Sequence, residues 1–216
     1  MDFATVVRRR AMVRRFREER VADDVVDGIV ATALRGPSAG FAQGTHLLVL
    51  RTPQDVERYW TATVPAAAAA RGDAWLTGMR AAPVLLVLWA DPQRYLERYG
   101  AADKAADALA VGRPGPDPTS WPVPWWDVDT GMAALLALLA ATDAGLGACL
   151  FGVPAGGHGA LREAFGAPEG LRPVAVVAVG HPASDAPVRR GGRRPRAEVV
   201  HEGRFGPADP PPTAPQ

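Results

Sequence analysis

Four apolar runs rich in branched residues are spread along the chain. They predict buried strands at 46–51, 83–90, 148–152 and 173–181. The run at 83–90, PVLLVLWA, is the strongest of the four and is apolar on both faces. Because a half-exposed strand would alternate between apolar and polar residues, this pattern predicts a central strand that is covered on two sides.

Helical spacing of apolar residues occupies much of the chain between these runs. Helices are predicted at 3–10, 22–35, 73–80 and 159–166, with a further helix beginning at Pro53. The segment 130–147, TGMAALLALLAATDAGLG, is apolar almost all round and ends with two glycines. Such a helix is buried either in the centre of the molecule or at a subunit interface.

A proline-rich segment precedes this apolar helix. Residues 112–126 contain five prolines, which is too many for a helix or a central strand. A domain linker has this composition, but Trp121, Trp125 and Trp126 indicate that the segment packs onto the rest of the protein. A long aromatic loop inside one domain is typical of a binding loop or lid. We therefore predict a single domain over 1–206 with a lid-like insertion at about 112–126.

The C-terminal segment changes character twice. It is basic from Arg189, and the stretch AEVV at 197–200 is predicted to be extended. The tail at 207–216 is rich in proline and poor in large apolar residues, so we expect it to be disordered.

Composition restricts the class of protein further. The chain has 216 residues, of which 48% are hydrophobic and 22% charged, as is usual for a globular protein. It contains no run of about 18 apolar residues, so we expect no membrane partner. The net charge of +1 favours neither nucleic acid nor an acidic partner. The N-terminus lacks a secretory pattern, and we expect a cytoplasmic protein.

Several familiar chemical sites are excluded or disfavoured. The single cysteine, Cys149, excludes an intrachain disulfide and a multi-cysteine zinc site, and its most common role is that of a small buried apolar group. A dinucleotide fingerprint fails because Leu150 occupies the position of its third glycine. The four histidines have no paired metal-ligand spacing, so no metal is expected.

Four motifs remain, and together they resemble one family. In chain order they are RRRAMVRRF (8–16), PSAGFAQG (37–44), TDAGLGACLFG (142–152) and RRPRAEVVH (193–201). Each motif is weak alone, but their order and separation resemble the FMN-dependent nitroreductase family from about residue 3 to residue 206. The resemblance implies an α+β fold with a mixed, mostly antiparallel sheet flanked by helices. It also implies an intertwined homodimer with two FMN sites at the interface.

The same resemblance suggests what the homodimer is built from and what it does. The helix at 130–145 would form the dimer core, and residues 197–206 would add an edge strand to the partner. An enzyme of this family uses NAD(P)H to reduce nitroaromatic, quinone or enone acceptors by a ping-pong, two-electron mechanism. Two alternatives stay open: a flavin-dependent dehydrogenase of a biosynthetic pathway, and a flavin-binding or sequestering protein with little turnover. A nucleic-acid binder is disfavoured, because four acidic residues within 18–24 follow the N-terminal arginines directly.

By resemblance, arginines neutralise the FMN phosphate. Arg10 and Arg193 are the best candidates for phosphate ligands, and Arg194 is close behind them. A guanidinium group offers forked hydrogen bonds that suit phosphate oxygens. Arg14 falls near the pyrimidine edge of the flavin, where a positive charge stabilises the negative charge that collects on reduction.

Two further segments are implied to contact the flavin ring. The loop at 37–44 reaches across the dimer interface, and the stretch at 149–152 passes over the isoalloxazine. The residues in these contacts are Pro37, Ser38, Ala39 and Phe41 in the first segment and Leu150, Phe151 and Gly152 in the second. A backbone N–H of Phe151 or Gly152 would bond flavin N5, so no catalytic side chain is expected.

Three positions depart from the family pattern. Met12 stands where a phosphate-binding Ser is common, and Ala11 replaces a frequent basic residue. Phe41 stands where an Asn usually hydrogen-bonds the cofactor, so weaker FMN binding or a reshaped substrate side is expected. We hypothesise that Phe41, together with Trp125 and Trp126, forms a substrate pocket walled by aromatic side chains that selects flat, apolar acceptors.

Overall fold

A four-stranded sheet organises the chain in a computed structural model that describes residues 1–104, 117–186 and 192–205. The strands are β1 (Thr45–Leu50), β2 (Val84–Ala90), β3 (Gly147–Phe151) and β4 (Arg172–Gly180). Their order is β1-β2-β4-β3, and all three ladders are antiparallel. A parallel bridge from Met12 to Ala148 extends the sheet beyond β3. All four predicted strands are confirmed to within one residue at either end.

Nine helices connect and cover these strands within the described residues. They are α1 (Phe3–Arg9), α2 (Asp23–Ala33), α3 (Pro53–Thr63), α4 (Ala66–Ala69), α5 (Ala74–Arg80), α6 (Pro92–Gly100), α7 (Trp125–Asp143), α8 (His158–Phe165) and α9 (Arg196–Val199). Side chains of Asp2, Thr52, Asp73 and Asp91 accept backbone N–H groups at the starts of α1, α3, α5 and α6. These caps satisfy donors that a helix leaves unpaired at its first turn.

The core has two large apolar layers, one on each face of the sheet, and a smaller cluster that contains Tyr95 and Trp126. On one face, strand residues such as Leu85 and Val176 pack with α3, α5 and α8. On the other face, residues such as Leu86 and Val177 pack with α2 and α7. Because both faces are covered, β2 is buried along its whole length, as its apolar pattern predicts. The predicted α+β architecture, with an antiparallel sheet flanked by helices, is confirmed.

The long apolar helix begins earlier than its periodicity predicts. The predicted start was near residue 130, whereas α7 begins at Trp125 and has Pro124 at its N-cap position. Trp125 and Trp126 therefore belong to the first helical turn and not to the proline-rich loop. A proline is compatible with a helix start, because its fixed φ suits the first turn and its missing N–H would be unpaired there. The part of the predicted insertion at 112–116 lies outside the described residues.

The C-terminal segment is helical where it was predicted to be extended. Residues 196–199 form α9, in which the N–H of Val200 bonds the carbonyl of Arg196 at 2.9 Å. Ala197 and Glu198 favour helix, and an ion pair between Arg194 and Glu198 has helical spacing. The extended stretch at 197–200 is therefore a wrong prediction, and the described part of 197–206 contains no strand. The predicted tail at 207–216 lies outside the described residues.

Candidate functional site

Arg10 lies directly after α1, and one nitrogen of its side chain is buried. Its backbone N–H bonds the carbonyl of Val6 at 2.9 Å, which fixes the residue at the end of the helix. Its Nη1 atom is buried and has no hydrogen-bond acceptor among the described residues. Burying a guanidinium nitrogen without an acceptor is costly. This position therefore suits an anionic group that supplies the missing acceptor.

The segment that follows Arg10 runs beside β3. Met12 forms the parallel bridge to Ala148, and the N–H of Val13 bonds the carbonyl of Ala148 at 2.9 Å. The approach is close, because a Cβ on Gly147 would stand 2.9 Å from the Val13 side chain. The Sδ atom of Met12 accepts the N–H of Leu150 at 3.5 Å. The structure thus brings the first and third sequence motifs together.

The charge of Arg14 acts on β3 as well. Burial raises the pKa of the Cys149 thiol, and the positive charge of Arg14 opposes part of that rise. Arg14 itself is exposed. A cation therefore stands beside the strand with its side chain open to solvent, as expected for a residue that meets a ligand there.

β3 ends at an aromatic cluster that the sequence analysis did not identify. The rings of Phe151 and Trp60 are parallel, with centroids 5.7 Å apart and 5° between their planes. Trp75 meets the Phe151 ring edge-on at 5.6 Å. Gly152 follows, exposed, and nothing lies within 4 Å of the position of a Cβ there. We name residues 10–14, β3 and Gly152 the β3 side of the site.

The loop at 37–44 is held by two helices. The N–H of Ala39 bonds Oδ2 of Asp129 in α7 at 2.8 Å, and Nε of Arg98 in α6 bonds the carbonyl of Gly40 at 2.8 Å. Within the loop, the N–H of Gln43 bonds Oγ of Ser38 at 3.0 Å. The Phe41 side chain is 75% exposed on a backbone with φ of 59°. We name this loop and the first turn of α7 the loop side of the site.

The buried acceptor on the loop side is shared. Oδ2 of Asp129 also accepts the hydroxyl of Tyr95 at 2.7 Å. Burial and, after it, the hydrogen bond to Asp129 raise the pKa of Tyr95 well above its usual range, so the phenol remains a donor. The sequence analysis missed both residues, because no local pattern joins positions that are 34 residues apart.

Two tryptophans predicted for the substrate pocket have different surroundings. Trp125 is 42% exposed and lies four residues before Asp129, on the same face of α7 as the residue that holds the loop. Trp126 is 4% exposed and packs against Tyr95 and Trp121, with ring centroids 6.1 and 5.6 Å away. Trp125 is accessible to a ligand, whereas Trp126 supports the loop side from within.

The C-terminal arginines are far more exposed than Arg10. All described residues from 192 to 205 are exposed, including Arg193 and Arg194. Nε of Arg194 pairs with Oε2 of Glu198 at 3.1 Å. An exposed ion pair of this kind contributes little to stability, so Arg194 can exchange it for another anion at small cost.

Within one chain, the two sides lie at opposite edges of the sheet. The loop side leads into β1, where Oγ1 of Thr45 lies 3.1 Å from Oγ1 of Thr130, and the β3 side is built on the other edge strand. Three strand spacings separate β1 from β3, which corresponds to about 14 Å. A single chain therefore does not assemble the predicted site residues into one cluster.

A separate surface cavity contains none of the predicted site residues. It has a volume of about 850 Å³ and lies between residues 18–23, the start of α3 and the end of α5. Its arginines are already paired within the protein, Arg51 with Asp27 at 2.7 Å and Arg80 with Glu57 at 2.6 Å. Over the described ranges, no cluster of three metal-ligating side chains is present. No helix in those ranges is both long and apolar enough to span a membrane.

Comparison with known proteins gives the family. The nitroreductase family model matches residues 7–181, which is most of the chain. The protein therefore belongs to the nitroreductase family of oxidoreductases. A protein of Methanothermobacter thermautotrophicus, provisionally named an NADH dehydrogenase/NAD(P)H nitroreductase, is 26% identical over 191 residues. That match covers 88% of this chain and 82% of the relative.

Solved structures agree on the fold. The nitroreductase CinD from Lactococcus lactis, in complex with chloramphenicol, has a TM-score of 0.73 at 19% identity, covering 94% of this chain and 100% of its own. A protein from Desulfovibrio desulfuricans, provisionally named a nitroreductase and solved in complex with FMN, has a TM-score of 0.66 at 23% identity. That match covers 95% of this chain and 99% of the other. The predicted nitroreductase-like fold is confirmed.

Proposed function

We propose that this protein is an FMN-dependent oxidoreductase that uses NAD(P)H to reduce nitroaromatic, quinone or enone acceptors. Its family consists of oxidoreductases, and the Desulfovibrio desulfuricans relative was solved with FMN. The observation that carries the proposal is the buried Nη1 of Arg10, which lacks an acceptor among the described residues. A phosphate oxygen would supply that acceptor, and a charge-assisted bond of this kind is strong.

Arg193 and Arg194 are proposed as the other phosphate ligands. Both are exposed, and Arg194 gives up only a surface ion pair with Glu198 when it turns to another anion. Met12 does not take the place of a phosphate-binding Ser, because a thioether has no hydrogen to donate to a phosphate oxygen. Its sulfur instead accepts the N–H of Leu150. Ala11 has no polar side chain to offer. The phosphate site is therefore proposed to rest on arginines alone.

The flavin ring is proposed to lie against the β3 side. The open space at Gly152 allows a flat ring to approach the backbone, and Arg14 brings a positive charge to the same strand. FMN, when bound, supplies two-electron hydride transfer between NAD(P)H and the acceptor. The chain contributes position and charge: a backbone N–H of Phe151 or Gly152 toward N5, and Arg14 toward the pyrimidine edge.

A homodimer is proposed to complete the site. The loop side and the β3 side are about 14 Å apart in one chain, so a second copy is needed to bring one protomer's loop to the other's β3 side. The outward face of α7 is apolar, with Val128 and Leu135 exposed. An exposed apolar helix face of this kind is a suitable surface for the association of two protomers. In the homodimer, Pro37, Ser38 and Ala39 would line the flavin ring of the partner protomer.

The acceptor pocket is proposed to be aromatic. Phe41 and Trp125 are both exposed on the loop side, and flat apolar molecules stack well on such rings. We propose that NAD(P)H and the acceptor occupy this pocket in turn, which gives ping-pong kinetics. With a quinone, NAD(P)H, one proton and the quinone are converted into NAD(P)⁺ and the hydroquinone.

A flavin-binding protein with little turnover is the second candidate. One observation favours it: Met12 and Phe41, which replace polar family residues, offer FMN no strong hydrogen bond. The sulfur of Met12 is engaged with Leu150, and a benzyl side chain has no polar atom. Such a protein would hold FMN that NAD(P)H cannot bleach.

The visible absorption spectrum of the purified protein tests these proposals. We expect flavin bands that survive gel filtration, a cofactor that chromatography identifies as FMN, and bleaching of the bands by NADH or NADPH under anaerobic conditions. Addition of a quinone should then restore the bands. Bands that resist both nicotinamides would favour the second candidate, and a colourless protein that takes up no FMN would contradict both.

A further inference from the structure

We infer that Asp129 and Tyr95 are positioning residues: they clamp the loop at 37–44 so that it contacts the flavin of the partner protomer. The inference rests on the proposed function, because it assigns the loop to a flavin site. The two residues that hold the loop in place lie in α6 and α7, outside all four sequence motifs. We name the pair and its hydrogen bonds the Asp129 clamp.

The buried carboxylate of Asp129 holds the loop through its hydrogen bonds. Asp129 is 2% exposed, and its Oδ2 accepts both the N–H of Ala39 at 2.8 Å and the hydroxyl of Tyr95 at 2.7 Å. A carboxylate is retained in a protein interior only when donors compensate it for lost water. Here one donor is the loop backbone itself, so the loop and the buried charge fix each other's positions.

The backbone of the loop also fits closely against α6 and the residue before it. A Cβ on Gly44 would stand 2.5 Å from Cε2 of Tyr95 and 2.8 Å from the carbonyl oxygen of Asp91. A Cβ on Gly40 would stand 2.8 Å from Cε2 of Tyr99. Both glycines are therefore required for the ring of each tyrosine to reach the loop. The Tyr95 ring packs on the loop and its hydroxyl bonds the carboxylate that holds the loop.

The loop backbone that the Asp129 clamp holds is strained. Phe41 has φ of 59° and Gln43 has φ of 53°, in a region that side-chain-bearing residues rarely adopt. A strained conformation persists only where its surroundings determine it. The strain does not serve the core, because the Phe41 side chain is 75% exposed. The clamp thus presents the loop outward, as a contact with a second protomer requires.

Hydrogen exchange in the flavin-free protein tests the clamp directly. Tyr95→Phe keeps the ring against Gly44 and removes only the hydroxyl. The control is Thr61→Val, which removes a 3.3 Å side-chain bond to Glu57 on α3, outside both the loop side and α7. We expect exchange of the loop amides to rise about tenfold in Tyr95→Phe, the effect of losing one hydrogen bond to a carboxylate, and to stay unchanged in the control.

Two substitutions of Asp129 provide a second readout. Asp129→Asn keeps an oxygen that can accept the N–H of Ala39, whereas Asp129→Ala removes it. We expect loop exchange to increase in the order wild type, Asp129→Asn, Asp129→Ala. The dissociation constant for FMN, measured by fluorescence titration of each protein, should follow the same order. It should also rise about tenfold in Tyr95→Phe and remain at the wild-type value in Thr61→Val.

Each outcome decides the inference. Faster loop exchange together with weaker FMN binding supports it. Loop exchange that matches the control in both Tyr95→Phe and Asp129→Ala overturns the clamp. Faster exchange with wild-type FMN affinity overturns the positioning role, because the loop then does not contact the flavin. A wild-type protein that binds no FMN overturns the proposed function, while the exchange experiment still shows whether the clamp exists.

Discussion

At the scale of single residues, Arg10 and Phe41 each lower the stability of the isolated chain. Arg10 carries a buried nitrogen with no acceptor among the described residues, and Phe41 exposes a benzyl group on a left-handed backbone. Each costs on the order of 1–3 kcal/mol by general precedent. Residues that reduce stability without a local gain are typical of binding sites, because the ligand or partner supplies the gain.

Replacement of Arg10 should weaken FMN binding without lowering the stability of the flavin-free protein. Arg10→Met replaces the aliphatic part of the side chain with an apolar chain of similar length and removes the buried nitrogen. We expect FMN affinity to fall by about 1.5–3 kcal/mol, the value of a hydrogen bond to a charged group. Without FMN, the variant should unfold at the same or a higher temperature than the wild type. Flavin titration and thermal denaturation measure the two effects.

The neighbouring arginine provides the control for this experiment. Arg9 is exposed, and Arg9→Met changes the net charge equally without removing a buried nitrogen. It should leave FMN affinity within a few tenths of a kcal/mol of the wild type. An equal loss in both variants would mean that overall charge, and not Arg10, attracts the cofactor. Equal wild-type affinity for riboflavin and FMN would contradict the phosphate assignment.

Replacement of Phe41 should relieve strain and restore a polar contact. Asn tolerates the left-handed region better than Phe does, so Phe41→Asn should stabilise the protein. It should also tighten FMN binding by about 1 kcal/mol if its amide hydrogen-bonds the cofactor. Phe41→Gly is the matched control, because it relieves the same strain without offering an amide. Identical FMN affinity in the two variants would mean that the Asn amide makes no hydrogen bond that strengthens FMN binding.

The same residue tests the acceptor pocket. Phe41→Asn and Trp125→Ala should each reduce the preference for large aromatic acceptors over small ones. The measurement is kcat/KM for a panel that includes a quinone, a nitroaromatic and a small enone. If neither substitution moves that profile, the two aromatic side chains do not line the pocket.

At the scale of elements, close backbone approach brings the N-terminal segment and β3 together. The segment 12–16 lies between β3 and α5, and glycines stand at both contacts. A Cβ on Gly147 would meet Val13, and a Cβ on Gly78 in α5 would stand within 3 Å of the Arg14 carbonyl oxygen and side-chain atoms of Arg15. The position of the cation on the β3 side therefore depends on a glycine in a helix that has no part in the flavin motifs.

Gly78→Ala should destabilise the protein, against the usual trend for helices. Alanine is favoured over glycine in a helix interior by about 1 kcal/mol. Here the added methyl collides with backbone, so we expect a net loss of 1–3 kcal/mol, about the cost of overpacking a core. The control is Gly28→Ala in α2, where nothing lies within 4 Å of the new Cβ. Urea denaturation should show that only the control gains stability.

At the scale of the whole molecule, the proposed homodimer rests on the sheet and on α7. The two sides of the proposed site stand at opposite sheet edges, and α7 presents apolar residues to both its sides. Its inner face packs on the sheet through residues such as Leu138, which is buried, whereas Leu135 is 48% exposed. A helix with an apolar outer face requires a partner surface in water.

Two substitutions distinguish the outer face of α7 from its inner face. Leu135→Asp places a charge on the outer face, and we expect folded protein that has become monomeric and has lost FMN. Leu138→Asp places the charge in the core, and we expect unfolding. Sedimentation and circular dichroism separate these results. A folded Leu135→Asp monomer with full FMN affinity would contradict both the dimer and the shared site.

The sequence predicted the strands and most helices because their signals are local. β2 is apolar on both faces and α3 begins at a proline, and such patterns depend only on neighbouring residues. The start of α7 was missed because the five prolines before it indicate a loop. A helix nevertheless tolerates a proline at its beginning. The helix α9 was missed because Val199 and Val200 favour a strand in isolation.

Parts of the candidate site had a signal in the sequence only where they fall in a family motif. Two of the motifs contain Met12 and β3, and the structure places these side by side, with Arg10 two residues before Met12. Asp129 and Tyr95 gave no signal, since their partners are distant in the chain: Asp129 lies 90 residues from Ala39. The exposed Trp125 and the buried Trp126 also could not be told apart, because the sequence placed both in the proline-rich loop and not on a helix with an inner and an outer face.

The position of β3 at a sheet edge has a consequence during synthesis of the protein. Among the described residues, the cover of its outer edge is the short segment around Met12. An uncovered edge strand can pair with any other chain, and the outer face of α7 adds an apolar surface to the same early species. Newly made chains therefore face a competition between productive pairing and aggregation. Soluble yield should rise when riboflavin is supplied during expression, because binding of the proposed cofactor FMN stabilises the folded, assembled protein.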